Sequence, residues 1–212
     1  MAKRRLTFCR LSGLDRSGPP PPQTQAGAPL NPWTIPNAIG FFRLGLVPVF
    51  LKRALSSEDG TDTLPAVIFA VAGWGDYADG IAARVTGQYS RLGALLDPVI
   101  DRLIVLSGVA VCWRFRLLPR WALGVLLGRE AFVLVAGQAA LRRGVDVRIN
   151  WPGRLSVLPL MGALFFGLLG LKRAGAVLLY IGLVLSLWGT VLYSRSAIAQ
   201  LREREEQPST LS

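Results

Sequence analysis

The chain alternates long apolar runs with short connectors rich in basic residues or glycine. Apolar runs cover roughly 35–52, 64–84, 92–113, 119–141, 154–171 and 175–195. Each approaches the ~20 residues that an α-helix needs to cross hydrocarbon. No segment alternates with the two-residue period of a half-buried strand, and no internal repeat is evident. The pattern predicts an all-α fold: a polytopic membrane protein with six transmembrane helices. Residues 1–32, with "MAKRRLTFCR" and "GPPPPQTQAGAP", are expected to be a disordered basic N-terminal tail. No apolar run follows the basic start, so it does not read as a signal peptide. Residues 33–198 would hold the six helices, and 199–212 a polar C-terminal tail.

Charge orients this picture. The 24 basic residues outnumber the 13 acidic ones, for a formal net charge of +11. In a soluble domain that balance would suggest nucleic acid. Here the basic residues flank apolar runs, so no nucleic-acid partner is expected, and contact with anionic lipid head groups explains them. With the N-terminus in the cytoplasm, inner segments carry about twice as many Lys and Arg as outer loops. Both termini and the short connector near 85–91 are then cytoplasmic, in a cell membrane. Arginine far exceeds lysine, and Ala, Gly and Leu abound, as in chains from GC-rich bacterial genomes. Cys9 and Cys112 suggest neither a disulfide framework nor a thiolate metal site. There is no histidine, so a general base has to be a carboxylate or, less readily, Lys, Tyr or Cys.

Candidate chemistry lies where the second and third runs meet. "GDYADGIAARVTGQYSRLGALLDPVIDR" places Asp76 and Asp79 at i, i+3 near the end of one helix. Asp97 and Asp101 fall at i, i+4 near the start of the next. Both spacings put the pair on one helix face, and a short connector makes the helices antiparallel neighbours. A charged side chain at mid-membrane costs about 2.5–3.5 kcal/mol, and converging carboxylates repel one another. Hard divalent cations relieve both problems, and four carboxylates suit two ions about 3.5–4 Å apart. Gly80 and Gly93 would let a ligand or a facing helix approach, Ala83 keeps the face low, and Arg84 can meet a phosphate. Other readings exist. Asp97 followed by Pro98 also starts helices by N-capping. Intramembrane acids also mark ion pathways, although those spread along a path instead of clustering in one hairpin.

Read as D-x2-D-G-x2-A-R-x8-G-x3-D-x3-D, the stretch resembles the signature of the CDP-alcohol phosphatidyltransferases. The matching residues are Asp76, Asp79, Gly80, Ala83, Arg84, Gly93, Asp97 and Asp101. More of the chain is similar to the branch that makes phosphatidylglycerophosphate and cardiolipin, in its actinobacterial form. "IPNAIGFFRLGLVPVF" resembles its first helix through Pro36, Asn37 and Arg43, and Arg129 with Glu130 its fourth. At "GRLS", Arg154 keeps the family's positive charge, while Val157 stands where a threonine is usual. The resemblance implies the family's fold and the transfer of a phosphatidyl group from CDP-diacylglycerol to an alcohol, releasing CMP. It implies that Asp76, Asp79, Asp97 and Asp101 bind Mg²⁺ or Mn²⁺, two ions in all, and that Asp101 is the base. It places the cytidine diphosphate near Gly80, Ala83 and Arg84, and it suggests a homodimer.

For the acceptor, Arg129 and Arg154 are the candidates to meet an anionic phosphate, with Arg142, Arg143 and Arg148 at the mouth. The apolar run "LSVLPLMGALFF" favours phosphatidylglycerol, hence cardiolipin synthesis. Glycerol 3-phosphate is the alternative acceptor. An alternative of another class is a non-catalytic membrane protein or an ion pathway that uses the intramembrane acids.

Overall fold

The computed structural model describes residues 29–142 and 151–206. Among the described residues every regular element is helical. Thr34 caps α1, Ile35–Leu55, its side chain accepting from the Asn37 N–H at 3.3 Å, and Pro36 sits in the first turn. Asp62 caps α2, Thr63–Thr86, by accepting from the Leu64 N–H at 3.2 Å. The helix stops at Gly87, whose φ of +67° is the left-handed conformation that an L side chain resists. Ser90 starts α3, Arg91–Arg114, by accepting from the Gly93 N–H at 2.9 Å.

Pro98 therefore lies inside α3, and Asp97 does not begin a helix. The capping reading of that pair fails because Ser90 already supplies the cap. What Pro98 does is withhold the N–H that the Ala94 carbonyl would otherwise accept.

The chain divides into two compact units. The first holds the described residues up to Glu58, together with Asp62–Val111, and so α1, α2 and most of α3. Its core is Phe50, Ala54, Ala66, Phe69, Ile100 and Ile104. The Phe50 and Phe69 rings lie 5.5 Å apart at 48° and join α1 to α2.

The second unit comprises Asp59–Thr61 and the chain from Cys112 onward. It contains α4 (Arg120–Arg142), α5 (Trp151–Leu155), α6 (Val157–Leu168) and α7 (Lys172–Glu206). Leu123, Leu126, Leu164, Leu168 and Leu179 fill its core. In α6 and α7, glycine lets the backbones close up: a Cβ on Gly182 would lie 2.6 Å from Leu160 Cγ. Trp121 and Tyr180 stack at 5.6 Å.

Three expectations change. The fifth span is two helices that part at Ser156, whose hydroxyl donates to the Gly153 carbonyl at 2.8 Å. A hydroxyl that bonds back along its own chain competes with the helix ladder. The last helix continues beyond 195 to Glu206, because Ala, Gln, Arg and Glu in that stretch are good helix formers. At 35 residues it is roughly 50 Å long, more than a bilayer core needs. Finally, among the described residues only Arg120–Ala139 and Lys172–Ser196 are both long and apolar enough to cross a membrane. α1 to α3 have the length, at 21, 24 and 24 residues, but charged side chains interrupt their apolar runs. α6, at 12 residues, is too short by itself. Most of the N-terminal tail lies outside the described residues, as do Arg143 and Arg148 and the side chains of Arg142 and Arg154.

Candidate active site

The four aspartates all lie in the first unit, on α2 and α3. Helical spacing turns Asp76 and Asp79 to one side of α2, and Asp97 and Asp101 to one side of α3. At the centre stands Arg43 of α1, only 1% exposed. Its Nη2 donates to Asp101 Oδ1 at 2.6 Å and its Nη1 to Asp79 Oδ2 at 2.9 Å. Asp76 Oδ1 is 3.7 Å from the same Nη1. Three carboxylates from two helices thus gather round one guanidinium. Asp79 is buried, Asp97 and Asp101 are partly exposed and Asp76 is exposed. No ion pair holds Asp97 among the described residues; its Oδ1 would be 4.0 Å from a Cβ placed on Gly40.

Two small residues make this possible. A Cβ on Gly75 would lie 2.5 Å from Arg43 Cδ and 2.7 Å from its Cγ, so only glycine lets the arginine stem past. A Cβ on Gly93 would meet Asn37 Oδ1 at 2.6 Å. Asn37 is itself a tie point. Its Nδ2 donates to the carbonyls of Asn31 and Pro32 at 3.1 and 3.0 Å, and its Oδ1 accepts from Ser90 Oγ at 2.8 Å. The Gln88 side chain also accepts from the Ile35 N–H at 3.0 Å. The start of α1 is thereby pinned to the connector that joins the two aspartate-bearing helices.

Gly80, Ala83 and Arg84 follow on α2. The Arg84 guanidinium folds back over Gly80, with Nη2 3.4 Å from where a Cβ would stand. Its Nε is buried and has no hydrogen-bond partner among the described residues. A buried, unmatched donor on a cation suits an anionic oxygen.

As a donor set, the four carboxylates fit a hard divalent ion: all are oxygen ligands, without sulfur or imidazole to favour a softer metal. Among the described residues no three of them surround an open position as they stand, since the Arg43 guanidinium lies between them.

Arg129, one of the two acceptor candidates, belongs to the second unit. Its Nε donates to Thr190 Oγ1 at 3.0 Å and its Nη1 pairs with Glu130. Arg154 lies in α5. Sequence reasoning gave no site role to Arg43, Gly75 or Asn37. A lone arginine in an apolar run, one helix away from four acids, was the available signal for the first.

Comparison with known proteins identifies the family. Residues 33–188 match the family model for CDP-alcohol phosphatidyltransferase. The chain is 39% identical over 167 residues to a cardiolipin synthase (CMP-forming) of Streptomyces coelicolor, covering 76% of this chain and 77% of that protein. It is 34% identical over 173 residues to a putative cardiolipin synthase of Mycobacterium bovis, covering 76% and 81%. A CDP-diacylglycerol–glycerol-3-phosphate 3-phosphatidyltransferase of Yersinia pestis is 31% identical over 180 residues, covering 80% of this chain and 97% of that protein. With the family model spanning most of its length and its aspartates gathered on adjoining helices, the chain belongs to the CDP-alcohol phosphatidyltransferase family.

Proposed function

We propose that the protein is a cardiolipin synthase, moving a phosphatidyl group from CDP-diacylglycerol to phosphatidylglycerol with release of CMP. The observation that carries the site reading is the gathering of Asp76, Asp79 and Asp101 from two helices about one point, at 3.7, 2.9 and 2.6 Å from Arg43 nitrogens. For the acceptor, the support is similarity: the relatives named cardiolipin synthase match at 39% and 34% identity, the glycerol-3-phosphate enzyme at 31%.

Divalent-metal dependence is general in this family. Asp76, Asp79, Asp97 and Asp101 would hold Mg²⁺ or Mn²⁺, which when bound neutralises the pyrophosphate and the charge developing on CMP. The chain's own residues do the rest. The Arg84 guanidinium, with its unmatched Nε, takes a phosphate oxygen of the nucleotide, and Gly80 and Ala83 leave room beside it. Asp101 accepts the acceptor hydroxyl's proton. Arg43 occupies its Oδ1, which leaves Oδ2 for that proton. The acceptor oxygen bonds to the phosphorus that carries the diacylglycerol, the bond from that phosphorus to the bridging oxygen breaks, and CMP departs with the electron pair. Arg129 and Arg154 are assigned to the acceptor's phosphate.

The protein crosses a bacterial cell membrane six times, with α5 and α6 in series making the fifth crossing, and both termini and the aspartates are cytoplasmic; the excess of basic residues in the inner segments supports this orientation. A cytoplasmic site lets the soluble nucleotide reach the acids while the acyl chains stay in lipid.

The test is CMP release from CDP-diacylglycerol by the purified protein with Mn²⁺, supplied with phosphatidylglycerol or with glycerol 3-phosphate, and product identification. Cardiolipin formed from phosphatidylglycerol supports the reading. Turnover with glycerol 3-phosphate alone would replace it with phosphatidylglycerophosphate synthesis, to which the Yersinia match points. No release with either acceptor would favour a silent membrane protein.

A further inference from the structure

Arg43 does more than neutralise charge. An arginine in an apolar helix is expensive to bury, and this one is the bulkiest fully buried side chain described. Each part of its guanidinium has a separate task. Nε donates to the Ala72 carbonyl at 2.8 Å, so the backbone of α2 sets the position of the group. Nη1 then takes Asp79 and Nη2 takes Asp101. Gly75 leaves the passage through which the stem reaches this point. The carboxylates are thereby sorted. Asp79 and Asp101 are held in fixed directions, Asp76 is at the edge of reach, and Asp97 has no ion pair among the described residues.

We propose that Arg43 is a positioning residue for phosphatidyl transfer: anchored on the Ala72 carbonyl through the gap at Gly75, it sets Asp79 and Asp101 in register by hydrogen bonds, holds Asp76 only through a longer ion pair and leaves Asp97 unpaired among the described residues. The inference rests on the site reading given under Proposed function. Its weight lies in the fork. A lysine would keep the charge but has one nitrogen, so it cannot bond a carbonyl and two carboxylates on different helices in a fixed plane.

Arg43→Lys and Gly75→Ala separate geometry from charge. The first keeps the cation; the second keeps the arginine but places a methyl where its stem runs. Full-length protein purified in detergent is titrated with Mn²⁺, free ion being read by electron paramagnetic resonance. CMP release is measured on the same samples, below the melting temperature of each. Groups that orient metal ligands typically contribute about 10–100-fold in affinity, so both variants should weaken Mn²⁺ binding by about that factor. They should also lower kcat more than they raise KM for CDP-diacylglycerol. A residue that only holds helices together would lower the melting temperature and leave the Mn²⁺ titration of the folded protein unchanged. Arg43→Lys that binds Mn²⁺ and turns over like the wild type overturns the proposal, and so does tighter binding. If Arg43→Lys does not remain folded, Gly75→Ala decides by the same criteria. Wild-type protein that neither binds Mn²⁺ nor releases CMP overturns the site reading along with the inference.

Discussion

Gly75 in the first unit and Gly182 in the second serve the same purpose with opposite chemistry. At Gly75 the missing Cβ admits the stem of Arg43, with Cδ 2.5 Å from the vacant position. At Gly182 it admits Leu160, with Cγ at 2.6 Å and Cδ2 at 2.7 Å. Both let a side chain from a neighbouring helix come close to the glycine backbone. The leucine needs nothing further. The arginine needs a carbonyl and two carboxylates, and those carboxylates need the arginine, so each part of the polar cluster is conditional on the rest. One unit is thus specified by mutual polar commitments, the other by shape. Damage to the first should appear as lost chemistry, and damage to the second as lost stability.

The sharpest way to break this contrast is to strip divalent ions. A chelator should abolish CMP release and added Mn²⁺ should restore it; release that persists in chelator would remove the ions from the reading. Next comes Asp101→Asn, expected to lower CMP release by about 10²–10⁴-fold, the usual worth of a positioned proton acceptor, measured on protein still folded at the assay temperature. A variant close to wild type in rate would show that the base is another group. In the apolar unit, Leu160→Ala should cost about 2–5 kcal/mol through the cavity it leaves beside Gly182. Thermal inactivation in detergent reads the loss, and the surviving enzyme should keep its kcat; a loss of rate with unchanged stability would erase the contrast. The smallest effect is expected from Asn37→Ala, which leaves the buried Ser90 hydroxyl without its acceptor and frees two loop carbonyls. A cost of about 1–3 kcal/mol follows, with faster hydrogen exchange in the connector after Gly87.

Much of the site was legible because it is local. The i, i+3 and i, i+4 pairs need only helical geometry to share a face, and a connector as short as 87–90 forces their helices together. The resemblance to a known family rested on the same spacing. Ser90 and Gly87 could also have been read as a cap and a stop, since Ser caps and Gly ends helices by local rules. Arg43 was different. Its sequence separations of 36 from Asp79 and 58 from Asp101 carry no periodic signal, and nothing about a single arginine says which helix it will face. Gly75, likewise, is an ordinary glycine until another helix supplies the stem that passes it. The break at Ser156 was hidden because an apolar run reads continuously through one hydroxyl.

The sequence by itself determined that the chain is helical, roughly where most of its helices lie, and that four acids fall in two pairs, each on one helix face, because each depends on the chemistry of a few neighbouring residues. Tertiary structure alone decided that a cation from a third helix would stand among those acids and what each of its nitrogens would hold. That choice depends on the separation and rotation of packed helices, which no local pattern of residues encodes.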